Sequence, residues 1–146
     1  MEYIQQPNSI ILAVSAGNVD IANSDAMKYA KMVDPQQERT IMVVTKLDLA
    51  TDDLANLLSG KTLPIKLGIV GVINRSQKDI NDGLSYAEIL KKESGYLAEK
   101  YKRIAQNHGT PFLRLRLNNL LLQHIKKCLP SLDVSTTRFI PTFWWL

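Results

Sequence analysis

The stretch Ile41-Met42-Val43-Val44-Thr45-Lys46-Leu47-Asp48 decides the fold. Its first four residues are apolar, and Ile41, Val43 and Val44 are β-branched. Such a run predicts a strand buried on both faces, as in a parallel sheet. It passes directly into a polar tetrad, Thr45-Lys46-Leu47-Asp48. In an open α/β sheet, ligands sit beyond the carboxyl ends of the strands. Lys46 and Asp48 therefore stand where a ligand would be gripped. Taken alone, the stretch is explained equally well by a solvated Lys and an Asp near a helix start.

The flanking sequence extends the pattern. Upstream, Ser9–Ser15 is a short apolar run followed by the turn Ala16-Gly17-Asn18, and predicts a buried strand. Asp20 or Asn23 can open the next helix, in which Ala22, Ala26, Tyr29, Ala30 and Val33 recur at helical spacing. Asp34-Pro35 stops it, because proline disfavours helix in the residue before it. Downstream, Asp52 or Asp53 caps a short helix carrying Leu54, Leu57 and Leu58, closed by Ser59-Gly60. Leu67–Ile73 is a third strand, whose Gly68 and Gly71 indicate close backbone approach. It too ends in a polar tetrad, Asn74-Arg75-Ser76-Gln77. A turn at Asn81-Asp82-Gly83 leads to a helix over Tyr86–Leu97, with Ile89, Leu90 and Leu97 on one side and Glu88, Lys91, Lys92 and Glu93 on the other. Lys100–Gln106 is read as another short helix, and His108 as a loop residue. Thr110-Pro111 starts a last helix that runs to about Leu129, with Leu113, Leu117, Leu120, Leu121, His124 and Cys128 in one stripe and Pro130 as its end. Strands alternating with helices imply an α/β fold with right-handed crossovers between parallel strands.

The totals exclude several classes. The chain has 146 residues, 45% hydrophobic and 22% charged, enough for one domain with a core. Its net charge of +4 comes from dispersed Lys and Arg, so a nucleic-acid partner is not expected. Cys128 is the only cysteine, which leaves no disulfide framework or cysteine metal site and points to a reducing compartment, the cytoplasm by default. The first residues lack the basic-then-apolar pattern of a signal peptide, and no apolar run approaches the length of a membrane span. No carboxylate–histidine pairing suggests catalysis, and no metal site is expected.

In a parallel sheet both polar tetrads fall at one edge, so Lys46, Asp48, Asn74 and Gln77 can converge on one ligand. Guanine suits them. An ionised carboxylate only accepts, and guanine presents two adjacent donors, its ring N1–H and its exocyclic amine. Adenine would set a lone pair against Asp48, a mismatch that a desolvated site rejects strongly. Lys46 can lay its methylene stem over the base, Asn74 and Gln77 can bond the base edge or the ribose, and Arg75 can stack over the site.

Thr-Lys-Leu-Asp after one hydrophobic strand and Asn-Arg-Ser-Gln after the next resemble the fourth and fifth GTP-binding motifs of the dynamin-family GTPases. Ile21–Ala26, Val33-Asp34-Pro35, Arg39-Thr40 and Gly109-Thr110-Pro111 agree, and Leu63–Gly68, Leu117–Leu121 and His124–Pro130 are most similar to the mitochondrial and peroxisomal fission branch. The resemblance covers roughly 1–133 and leaves 134–146 as a divergent aromatic tail. It implies a partial P-loop-GTPase-type sheet of three strands ending in a long helix. It assigns Thr45, Lys46, Leu47 and Asp48 to the guanine loop, and Asn74, Arg75, Ser76 and Gln77 to a second loop contacting base and ribose. It further implies self-association or pairing with a dynamin-like GTPase, peripheral membrane association through the full family architecture, and a setting that includes mitochondria and microtubules. The loop Ala50-Thr51-Asp52-Asp53 is shorter than the family's usual dimerisation loop.

A GTPase also needs a glycine-rich phosphate loop, a switch threonine and an Asp-x-x-Gly segment. Gly-x-x-x-x-Gly-Lys-Ser/Thr does not occur in this sequence, and Gly60-Lys61-Thr62 is read as a helix end. The expectation is the C-terminal half of a GTPase domain, with GTP bound weakly, magnesium required only alongside the missing half, and no catalytic residue of its own. The unpaired Ser9–Ser15 strand would make it poorly soluble or oligomeric. Two rivals stand beside this: a non-catalytic fragment that complements or blocks a relative, and an α/β nucleotide-binding domain of other base preference. In the tail, Pro141 and the β-branched residues argue against a long helix, and Phe143-Trp144-Trp145-Leu146 is expected to pack on the domain, or to arise by alternative splicing or from an imperfect gene model, in preference to anchoring at a membrane or binding a partner.

Overall fold

The computed structural model describes residues 2–50 and 54–137, with side chains, residue 22 aside, to residue 127. Asp52 and Asp53 as helix caps, most of the loop they belong to and residues 138–146 of the aromatic tail lie outside the described residues, and the Cys128 side chain, placed in the last stripe, lies outside the described side chains.

The central strand of the sheet is β2 (Thr40–Thr45), buried on both faces from Thr40 to Val44 as its unbroken apolar run predicts. It pairs in parallel with β1 (Ile11–Ala16) on one side and β3 (Ile69–Gly71) on the other, giving the order β1-β2-β3. The register sets Ala16 beside Thr45 and Val44 beside Gly71, so all three carboxyl ends share one edge. Helices α1 (Glu2–Gln5), α2 (Asp25–Val33), α3 (Ala55–Leu58), α4 (Gln77–Asn81), α5 (Tyr86–Lys100) and α6 (Thr110–Thr137) complete the α/β fold.

Alternation along β2 splits the core in two. Met42 and Val44 face one cluster with Ile11, Ala13, Met27, Ala30, Leu57, Leu58, Leu97 and Tyr101. Ile41 and Val43 face the other, with Val70, Val72 and Leu120 and the half-buried Phe112, Leu113 and Leu117 of α6. Helix α6 covers β2 and β3 but leaves β1 open on that face. Leu12 and Val14 are 45% and 48% exposed, so the strand expected to be buried is buried on one face only.

At the opposite edge, Asp34 stops α2 and fastens the turn into β2. Its carboxylate accepts the Glu38 and Arg39 N–H groups and the Thr40 hydroxyl at 2.6 Å, while Arg39 reaches the carbonyls of Ile4, Ser9 and Val33. Burial pushes the Asp34 carboxyl up, but these donors outweigh it and hold it below its ordinary value.

Several expectations are corrected. Ser24 precedes α2, in place of Asp20 or Asn23, and the buried face carries Met27 and Ala30 while Tyr29 points outward. Gly71 does allow close approach, since a Cβ there would meet Leu47 at 2.6 Å, but Gly68 adopts φ +95° in open space and serves a turn. Helix α4 was not anticipated, although Ser76-x-x-Asp79 is a capping-box signature. Lys100–Gln106 forms only a single 3₁₀ turn, Ala105–Asn107. Glu93 lies on the buried face of α5, four residues from both Ile89 and Leu97, and not among its solvated charges. His108 is buried, and Leu121 is exposed. Helix α6 continues past Pro130 to Thr137, so neither Pro130 nor Val134 ends it. Proline removes one ladder donor, a local cost of about 3 kcal/mol, and the backbone on either side remains helical.

Candidate functional site

The first loop begins where β2 runs out. Thr45 is half-buried, and its hydroxyl donates to the Ser15 carbonyl at 3.4 Å. Lys46 adopts φ 55°, the left-handed conformation, which is rare outside glycine and reverses the chain in one step. Leu47 then drops fully into the core while Lys46 and Asp48 stay exposed. Leu47 is thus the loop's anchor and contributes no polar group of its side chain. The N–H groups of Leu49 and Ala50 bond back to the carbonyls of Lys46 and Leu47, closing a 3₁₀ turn over Leu47–Leu49. The Tyr96 hydroxyl of α5 donates to the Leu47 carbonyl at 2.9 Å.

The second loop leaves β3 beside it. The Val72 N–H continues the ladder to Val44, and the Ile73 N–H donates to Glu93 Oε1 at 2.8 Å. Asn74, Arg75, Ser76 and Gln77 follow, all exposed. Ser76 caps α4: its hydroxyl donates to Asp79 Oδ2 at 2.6 Å and accepts the Asp79 N–H, while Asp79 accepts the Ser76 N–H. Gln77 sits in the first turn of α4 and its amide donates to Asn81. Lys92 of α5 pairs with Asp79 at 2.6 Å. That hydrogen bond, together with those from Ser76, holds the Asp79 carboxyl far below the ordinary carboxylate range.

The structure therefore brings both tetrads to one edge of the sheet and divides their labour. Leu47 and Ser76 build the loops. Lys46, Asp48, Asn74, Arg75 and Gln77 present exposed side chains. The exposed Asp48 carboxylate of the first loop and the exposed amide and cationic groups of both loops thus share the carboxyl edge of the sheet. Hollows of about 420 and 440 Å³ lie elsewhere, the first under β3 by Leu58, Ile69 and Phe112, the second between α5 and α6 by Leu97, Pro111 and Leu115. The side chains of Lys46, Asp48 and Asn74–Gln77 along this loop rim at the carboxyl edge are exposed. Among the described residues no group of His, Cys, Asp or Glu is arranged to hold a metal, and no helix is long and apolar enough to cross a membrane.

Sequence reasoning missed the supports of this rim. Glu93, His108 and Tyr96 carry no motif, and only the 89–93–97 spacing could have marked Glu93 as inward. His108 Nδ1 accepts the Gly71 N–H at 3.1 Å, and the Gly109 N–H donates to the Gly71 carbonyl. These two contacts close the outer edge of β3. Glu93 Oε2 accepts the Thr110 N–H and Oε1 the Thr110 hydroxyl, so the threonine expected to cap α6 spends its hydroxyl on α5.

Parallel strands flanked by helices, with polar loops at the carboxyl edge, define an α/β fold of the GTPase type. Two family models match the chain: one described as "Dynamin family" over residues 1–47, the other as "Dynamin central region" over residues 53–138. The second spans more than half of the sequence, and the chain belongs to the dynamin family. The junction between the two falls between β2 and β3, which pair directly, so both matched stretches share one sheet. Among curated relatives, a dynamin-1-like protein from Danio rerio is 51% identical over 134 residues, covering 90% of this chain and 19% of its own length. Dynamin-A from Dictyostelium discoideum is 46% identical and the dynamin-related protein DNM1 from Saccharomyces cerevisiae 45% identical, each over 144 residues and 96% of this chain. The chain spans 17% and 19% of those two relatives.

Proposed function

We propose that this chain is the guanine-recognising portion of a dynamin-like GTPase that acts in membrane or organelle fission, in the cytoplasm and peripherally at organelle membranes. The observation that carries the proposal is the placement of Asp48. It follows a left-handed Lys46 and a core-anchored Leu47 at the sheet's carboxyl edge, beside the Asn74–Gln77 loop. The Asp48 carboxylate accepts the two donors of guanine, Lys46 lies along the base face, and Asn74, Arg75 and Gln77 cover the base and ribose. Base contacts without a phosphate cradle support affinity only in the millimolar range, about 4 kcal/mol. The chain's residues select a nucleotide; hydrolysis and magnesium binding belong to motifs that this sequence does not contain.

Titration of the chain with guanosine, adenosine and xanthosine triphosphates tests this. Guanosine is expected to bind best. Asp48→Asn should weaken guanosine binding and favour xanthosine, because the new amide can donate to the extra carbonyl. Unchanged preference in that variant overturns the assignment.

A second reading, a non-catalytic complementing fragment, is favoured by β1. Among the described residues no strand pairs with its outer edge, and Leu12 and Val14 are open on one face.

A further inference from the structure

Three neighbouring side chains of α5 reach the two loops. Tyr96 donates to the Leu47 carbonyl, which lies between Lys46 and Asp48. Glu93, only 1% exposed, accepts the Ile73 N–H immediately before Asn74. Lys92 pairs with Asp79, the residue that fixes Ser76 at the far end of the same loop. Positions 92, 93 and 96 share one side of a helix, where residues three and four apart are neighbours. Elsewhere on α5, Glu88 bonds the helix's own cap at Ser85, Ser94 donates to the Lys91 carbonyl, and Lys100 donates to the Tyr96 hydroxyl.

From this arrangement we propose that Lys92, Glu93 and Tyr96 are positioning residues, which together set the separation and orientation of the 45–48 and 74–77 loops for base recognition. The proposal rests on the guanine reading above. An exposed loop samples many conformations, and binding must remove them. Hydrogen bonds that hold both loops before the ligand arrives remove that cost in advance. The first loop is held at its middle by Tyr96. The second is held at both ends, by Glu93 at its start and by Lys92 through Asp79 at its finish. One rigid helix therefore carries the geometry of both, and no residue of α5 needs to touch the base.

The test combines nucleotide titration with amide hydrogen exchange on the full chain. Tyr96→Phe, Glu93→Met and Lys92→Met are each expected to weaken guanosine binding by about 3- to 10-fold, the range of one lost hydrogen bond, with the weaker adenosine binding unchanged. Exchange should quicken at Leu49 and Ala50 in Tyr96→Phe, and from Ile73 to Ser76 in Glu93→Met, which leaves the Ile73 N–H without an acceptor. Lys92→Arg should restore what Lys92→Met loses, and Ser94→Ala should change nothing. Tyr96→Phe keeps the ring in its place, so it remains informative if Glu93→Met fails to fold. Unchanged exchange in both loops overturns the framing role, and so does unchanged guanosine affinity in variants of a guanosine-selective parent. A parent with no guanosine preference overturns the base-site reading itself, while the exchange result still decides whether α5 holds the loops.

Discussion

Leu47 packs directly against Gly71 beneath the candidate site. Leu47 is fully buried, and a Cβ at Gly71 would stand 2.6 Å from its Cδ1 and 3.0 Å from Leu58 Cδ2. Gly71→Ala therefore forces the loop anchor to move. It should destabilise the fold by about 1–3 kcal/mol, as overpacking does, and weaken nucleotide binding with it. Urea unfolding and titration would measure both. His108 supplies a second residue-level consequence. Burial holds its imidazole below its ordinary pKa, and the neutral ring accepts the Gly71 N–H at Nδ1. The unfolded chain then takes up the proton first as pH falls, so this contribution is complete above about pH 6.5 and declines below it. Melting temperature should fall on acidification from about pH 7.5 to about pH 5.5, and His108→Gln, whose amide oxygen can accept the same N–H, should flatten that slope. The lowered carboxyls of Asp34 and Asp79 act in a separate window: their stabilisation is present above about pH 4 and is lost on further acidification.

At the scale of elements, the strands were legible and some helices were not. The β2 run was readable because burial on both faces leaves no room for polar residues. Helix α4 escaped notice because five residues carry no periodicity, although its capping box was present in the sequence. Glu93 was assigned to solvent because charge normally marks the exposed face, whereas here three donors from β3's end and α6's start satisfy it. One of these donors, the Ile73 N–H, opens the second loop, and the nucleotide and exchange experiments on Lys92, Glu93 and Tyr96 test the proposed framing role directly. Helix α6 shows the converse, a proline that local rules treat as a stop lying within a helix that runs from Thr110 to Thr137.

At the scale of the molecule, β1 sets the behaviour of the chain on its own. Its outer edge has no strand partner among the described residues, and its open face shows Leu12 and Val14. Unpaired edges template association. The chain is expected to self-associate in sedimentation experiments. Val14→Lys should shift it toward monomer, and co-expression with an N-terminal dynamin GTPase half should raise its soluble yield. A monodisperse wild-type monomer with a cooperative melt would count against this. By itself, the sequence determined the α/β alternation, the central strand and the two polar tetrads, since hydrophobic periodicity and turn chemistry are local properties. Only the tertiary structure decided that Leu47 and Ser76 hold the loops while Lys46, Asp48, Asn74, Arg75 and Gln77 face outward. It alone placed Tyr96, Glu93 and His108 beneath them, because hydrogen bonds spanning 20 to 49 residues leave no periodic trace in the chain.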